Sequence, residues 1–460
     1  MTRSLPLPVL TRVILSKMIS SLQTILIAVV TLSLLAQAQS PPKRKKLKDF
    51  GSSLKRLKWN PEKNAAVELP PTGQVTTSDE LDVIRINTSL VSCDLLVVDQ
   101  YGKSVTGLTA NDFKIAEDGA PQTVGHFLNG DNINVPRTIV LVIDYSGSQM
   151  PYLKNSVQAA KVLVDKLAPR DLMAIVTDDV EMIQDFTFDK KTLKNKLDSL
   201  IKRTERDSGF VIGRQQRIGL SKQYSALMAT LNEAFDDEDV RPIIIFQTDG
   251  DEAYFLRNPV ITIEVPEGLD GETLQNAQRS VEFYTQGLPK KLTEFSLDDV
   301  YRAVENSRAT LYTVIPGVKL TGLAPEVQFE KYKADEQARL NEMLKGLKPE
   351  FRPRFKDRVD RHDKNSDIMR RSTIERTVKL QLALSVVATL TGGWTEFLES
   401  PEQADEIYAR IFSDINQRYI VGYYPTNKER DGKRRKIEFE IKEHPEYQVY
   451  GRRSYFAPEP

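Results

Sequence analysis

Cysteine is almost absent from this chain: Cys93 is the only one in 460 residues. An intramolecular disulfide is therefore excluded, and so is any zinc site built on cysteine. Histidine is scarce as well. His126, His362 and His444 lie far apart without metal-ligand spacing, so each reads as a surface or packed imidazole. Neither sign of charge is in excess, because 64 Lys plus Arg balance 64 Asp plus Glu. That balance removes any global drive toward nucleic acid or an anionic surface. Also missing are a GxxxxGK nucleotide loop closed by Ser or Thr, an HExxH helix and a GxSxG nucleophile elbow. A Ser-His-Asp hydrolase is left without support.

Long apolar runs are also few, and the one that stands out is N-terminal. Arg3, Arg12 and Lys17 precede an apolar stretch from Leu22 to Leu35, and "AQA" at 36 to 38 offers small residues at a cleavage site. The expectation is an exported protein, secreted, periplasmic or bound to the cell envelope, with cleavage after Ala38. Met18 is an alternative start that would give a more compact signal. Against export, "PPKRKKLK" follows immediately, and such a basic block resists translocation. The competing reading is an uncleaved span.

Residues 39 to 80 carry two basic clusters and several prolines with little periodicity, which reads as a basic linker able to touch an anionic envelope weakly. From Leu81 to about residue 130, short β-branched runs alternate with "DQYGK" and "EDGAP" turns, including a strand around Phe113 to Glu117. Between residues 136 and 417 the texture changes. "RTIVLVI", "LMAIVT", "PIIIFQT" and "ATLYTVI" are nearly unbroken apolar strands, as in a parallel sheet covered on both faces. Helical stripes lie between them, Leu153, Val157, Ala160, Val164 and Leu167 in one, Tyr224, Leu227, Leu231 and Phe235 in another. The fold class is therefore α/β, a doubly wound and mostly parallel sheet. Residues 251–292 and the highly charged 319–375 break the rhythm and read as insertions, the second partly helical and otherwise a solvated excursion or a docking surface. Residues 418 to 460 alternate like strands around an "RDGK" turn, as a hairpin or meander. Their texture matches 81 to 130, so the two segments are expected to pair as one small discontinuous β-rich domain.

In a doubly wound sheet, ligands bind where loops leave the carboxyl ends of the strands. "DYSGS" leaves the first such strand with Asp144, Ser146 and Ser148 at alternating positions around Gly147. "QTDGDE" leaves a later one with Asp249, and "RIGLSKQYSAL" opens a helix with Ser221. One or two carboxylates with hydroxyls form a hard, oxygen-only set suited to Mg2+ or Mn2+. The alternative is structural: Asp144 or a serine capping the helix that starts near Met150, and Ser221 capping its own helix.

These three stretches, D-x-S-x-S, a helix-opening hydroxyl beside glycine, and T-D-G, resemble the metal-ion-dependent adhesion site of the von Willebrand factor type A domain. More closely, "VVDQYGKSVTGLTANDFKIAEDG", the type A stretches and "RYIVGYYPTN", in that order, resemble a secreted family described chiefly from Acidobacteria. The resemblance covers most of residues 81 to 460 apart from the insertions. It implies a Rossmann-like sheet and a divalent cation held by Asp144, Ser146, Ser148, Ser221 and Asp249. It also implies an open coordination position that takes a carboxylate from a protein partner. The departure is Gly219-Leu220-Ser221 where the family usually has Gly-Gly-Thr, with Arg214, Arg217 and Lys222 nearby to oppose a cation.

The expected function is thus a non-enzymatic, exported, metal-dependent protein-binding or adhesion module. No nucleic-acid partner is expected, and the oligomeric state is left open. Two alternatives stand beside it: a structural envelope or assembly component with a vestigial metal site, and a metal-dependent hydrolase. The hydrolase ordinarily needs a second acid where this chain has Ser146.

Overall fold

The computed structural model describes residues 49–69, 90–129, 136–207, 221–236, 241–252, 255–259, 264–287, 292–346, 352–353 and 364–458. All of them fall in one compact unit, Leu47–Pro460. The expected signal peptide, with Ala38 and Met18, lies outside the described residues, as do Gly219, Leu220, Arg214 and Arg217.

The strands run in chain order as β1 (Leu57–Asn60), β2 (Ala65–Glu68), β3 (Val91–Val98), β4 (Phe113–Glu117), β5 (Ala120–Gln122), β6 (Val124–Leu128), β7 (Arg137–Ile143), β8 (Leu172–Thr177), β9 (Met182–Thr187) and β10 (Arg241–Gln247). They continue with β11 (Thr310–Pro316), β12 (Thr395–Leu398), β13 (Tyr419–Tyr423), β14 (Arg434–Ile441), β15 (Gln448–Tyr450) and β16 (Ser454–Phe456). The helices are α1 (Leu153–Lys166), α2 (Lys190–Asp207), α3 (Gln223–Glu233), α4 (Gly271–Gly287), α5 (Leu297–Asn306), α6 (Pro325–Gly346), α7 (Lys364–Leu390) and α8 (Ala404–Gln417).

The central sheet has six strands in the order β12-β11-β10-β7-β8-β9, all parallel except the edge strand β9. Its inner strands are apolar throughout because both faces are covered. Ile139, Leu141 and Ile143 meet α1, α2 and α8 on one face, and Val140 and Val142 meet α3, α5 and α7 on the other. The apolar stripe of α1 is buried at all five expected positions, Leu153, Val157, Ala160, Val164 and Leu167. In α3, Tyr224 and Leu227 are fully buried, while Leu231 and Phe235 pack at the margin.

The chain ends supply two four-stranded sheets, β15-β3-β13-β6 and β16-β14-β4-β5. Each mixes strands from before and after the central sheet, and a third core including Leu95, Phe113, Val421 and Ile437 lies between them. At the β4–β5 hairpin, Asp118 and Gly119 both take positive φ, 48° and 81°, which the "EDG" sequence accommodates as a two-residue turn. The C-terminal segment is not a simple hairpin. β13 pairs with β3 and β6, whereas β14 pairs with β4 and β16 in the other sheet, so the "RDGK" region crosses between sheets.

Two further expectations are corrected. Residues 49–69, within the stretch read as a linker, form a short 3-10 turn and the β1–β2 hairpin. This hairpin docks on the α/β body: Gly51 N donates to Glu233 at 2.9 Å, Trp59 N to Glu294 at 3.2 Å and Ala66 N to Asp299 at 3.1 Å. The charged 319–375 stretch is not a solvated excursion where it is described. It contributes α6 and the first half of α7, and α7 continues without a break into the core through Leu380, Leu384 and Val387.

Candidate metal centre

Register places the candidate residues before any side chain is considered. Ile143 at the end of β7 pairs with Gln247 of β10 on one side and with Thr177 of β8 on the other. The next residues, Asp144, Thr248 and Asp178, therefore come level at the carboxyl edge of the sheet. The ladder extends one step beyond the strands, with Asp144 N donating to Gln247 O at 2.9 Å and Thr248 N to Val314 O at 3.2 Å.

Asp144 is almost fully buried and held from two sides. Its Oδ1 accepts Ser146 N at 2.8 Å and its Oδ2 accepts Thr248 Oγ1 at 2.8 Å. The Ser146 and Ser148 hydroxyls lie 3.1 Å apart, one buried and one exposed, so the first loop offers a pair of oxygens at its rim. Gln149 Nε2 donates to Asp249 Oδ2 at 2.7 Å, fastening the first loop to the third. Asp249 Oδ1 accepts Asp251 N at 3.0 Å. Between them Gly250 has φ 81°, a conformation that favours glycine, and a Cβ there would press on the Leu384 side chain of α7 at 3.1 Å.

The second loop reaches the same edge through the backbone. Lys222 N donates to Asp178 O at 3.0 Å, and Gln223 shares a short hydrogen bond with Thr248 Oγ1. Ser221 is 5% exposed, yet its hydroxyl has no hydrogen-bond partner among the described residues. The helix-cap alternatives do not describe this geometry. The N-cap of α1 is Tyr152 and that of α3 is Lys222, both without a side-chain cap bond. Lys222 Nζ lies 5.5 Å from the Phe255 ring centroid.

Electrostatically the edge is acid-rich. Burial, then the Asp178 and Asp249 carboxylates, push the Asp144 carboxyl well above the usual range. Burial also raises Glu252, to about 8, although its Oε2 accepts Tyr224 N at 2.7 Å. A cation placed among these groups would relieve both the crowding of acids and the unpartnered Ser221 hydroxyl, and the donors are all oxygen. The residues present thus fit a hard divalent ion. Among the described residues no group of three or more His, Cys, Asp or Glu side chains is arranged to hold a metal, and a hydroxyl-rich set falls outside that pattern.

Several residues at this edge escaped the sequence reading. Asp178 follows the apolar run "LMAIVT" as Asp144 follows "TIVLVI", and that strand-end position was its signal. Gln149, Gln223 and Glu252 were not singled out as site residues, and Thr248 stood in the T-D-G stretch without being named a ligand. Insertion helices also reach the site. Arg376 of α7 binds both carboxylate oxygens of Asp251, while Tyr152 donates to Asp335 of α6 at 2.9 Å with Arg339 lying over its ring.

No protein-family profile matches the sequence, and no curated protein matches it. Among solved structures, the chain is similar to the vWF domain of the type V pili tip protein Mfa5 from Porphyromonas gingivalis. The identity is 15% and the TM-score 0.33, over 61% of this chain and 95% of that one. It is similar to the von Willebrand factor type A protein from Catenulispora acidiphila at 9% identity and a TM-score of 0.30, over 82% and 75%. It is also similar to the manganese-loaded TRAP protein of Plasmodium vivax at 12% identity and a TM-score of 0.22, over 44% and 61%.

Proposed function

We propose that this chain is a non-enzymatic protein-binding or adhesion module of the type A kind, in which a divalent cation captures an acidic group on a protein partner. The ion, Mg2+ or Mn2+, would be held by Asp144, Ser146, Ser148, Ser221 and Asp249. When bound, it supplies a hard positive charge with a position open to a partner carboxylate. The observation that carries this reading is the convergence of three loops on one sheet edge, acid-rich and lined by hydroxyls, with the Ser221 hydroxyl buried and unpartnered. A metal-dependent hydrolase would need a second acid where this chain has Ser146, and a serine hydrolase a base beside its nucleophile. Ser146 faces Ser148 instead, and His126 and His444 lie in the terminal β segments.

Export is part of the proposal, with cleavage after Ala38 and the terminal sheets acting as one discontinuous β domain. Among the described residues no helix is long and apolar enough to cross a membrane. Sequencing the N-terminus of the mature protein tests the first point, with a start near Gln39 expected. For the site, calorimetric titration with Mg2+ and Mn2+ should show binding that Asp144→Ala abolishes, and EDTA should release partners captured from the source envelope. Equal silence of wild type and variant rejects the metal centre.

A further inference from the structure

The acid two positions beyond Asp249 has an unusual custodian. Asp251 is mostly shielded, its side chain 21% exposed, and both of its oxygens are taken by the Arg376 guanidinium. Arg376 comes from α7, 125 residues away in sequence, one residue beyond the charged 319–375 insertion that supplies the first turns of the same helix. The contact is braced on both sides. Leu384, two turns further along α7, packs against Gly250, and Arg370 is tied to Glu336 of α6 at 2.7 Å. The Asp251 amide, in turn, donates to Asp249 Oδ1 at 3.0 Å. Helix α7 thus places one positive charge on the loop that carries Asp249, one of the two acids in the proposed ligand set.

We propose that Arg376 is a positioning residue that withholds Asp251 from the cation site and thereby lowers and sets its affinity for divalent metal. This rests on the metal-binding reading above and adds to it. Without Arg376, the edge would present a second free carboxylate on the third loop, beside Asp249. With it, Asp251 is neutralised in place and only Asp249 is offered. The arrangement joins α7 to the proposed metal site by charge, so a partner acid that drew Arg376 away would raise the grip on the ion.

The test is a double-variant cycle on the full chain, read by calorimetric titration with Mn2+ at low and moderate salt. Arg376→Ala should bind Mn2+ about fivefold more tightly and Asp251→Asn about fivefold more weakly, the size of a one-charge change at a partly screened site. The two shifts should shrink with added salt, and Arg376→Ala/Asp251→Asn should return to within about twofold of wild type. A purely structural latch predicts something else: both single variants weaken binding together. That outcome, or unchanged affinity in a wild type that does bind, overturns the proposal and leaves the metal centre standing. Silence of wild type and Asp144→Ala alike overturns both. Circular dichroism and thermal melting of each variant confirm that folded protein is being compared.

Discussion

The two ends of β10 hold two buried polar clusters of opposite character. At its start, Arg241 donates to Ile415 O and Arg418 O, and the fully buried Arg418 forks onto Asp414 at 2.9 and 3.1 Å. Tyr312 and Trp394 also donate to Asp414, at 3.0 and 2.6 Å, and Thr310 donates to Asp94 at 3.2 Å. Here arginines meet carboxylates and the terminal sheets rest on the result. At the other end, Asp144, Asp178, Asp249 and Glu252 gather with Lys222 near one side and Arg376 occupied by Asp251. Buried charge is tolerated when paired and costly when it is not. The first cluster pairs its arginines with carboxylates and carbonyls, as a structural joint does, although Arg241 Nε and one Asp94 oxygen find no hydrogen-bond partner among the described residues. The second is short of positive charge, an imbalance that the proposed cation would correct.

The comparison can be broken hardest at its paired end. Arg418→Met should cost about 3–5 kcal/mol in urea unfolding, because it strands the Asp414 carboxylate in a dry interface. A loss below about 1 kcal/mol would show that the joint is not what holds the sheets to the body. At the incomplete end, Glu252 titrates in the direction burial dictates. Its folded pKa lies above its unfolded value, so the stability it contributes is full below about pH 4.5 and falls as pH rises toward 8, then levels. Glu252→Gln should remove that slope, worth a few kcal/mol at most across the window, with the difference between the two stability curves as the measurement. The smallest effect is also the sharpest in sign. Ser221→Ala, in EDTA, should gain about 1 kcal/mol by removing a buried hydroxyl without a partner. If Ser221 is instead a structural residue, the same variant loses stability.

How much of this could be read from the sequence follows from the range of the interactions. Strands β7, β8, β10 and β11 announce themselves because a sheet covered on both faces needs unbroken apolar runs. The α1 stripe is equally local. Asp144, Ser146, Ser148 and Asp249 stood out because they end such runs. The β1–β2 hairpin did not, since its strands have four residues each and its anchors, Glu233, Glu294 and Asp299, lie 180 or more residues away. Arg376 was illegible for the same reason. Its role depends on a helix whose charged first half looks like solvent-facing sequence and whose apolar second half is core. The crossing of the C-terminal segment between sheets was also hidden, because alternation specifies a strand's faces and not its neighbours.

The continuity of α7 has a mechanical consequence. Its 27 residues make a rod about 40 Å long, seated in the core at one end and carried on the insertion at the other. A helix of that length transmits torque rather than absorbing it in a hinge. Arg376 and Leu384 sit partway along, against the third loop. Load applied to the outer turns would therefore bear directly on Asp251 and Gly250, in the loop that also carries Asp249.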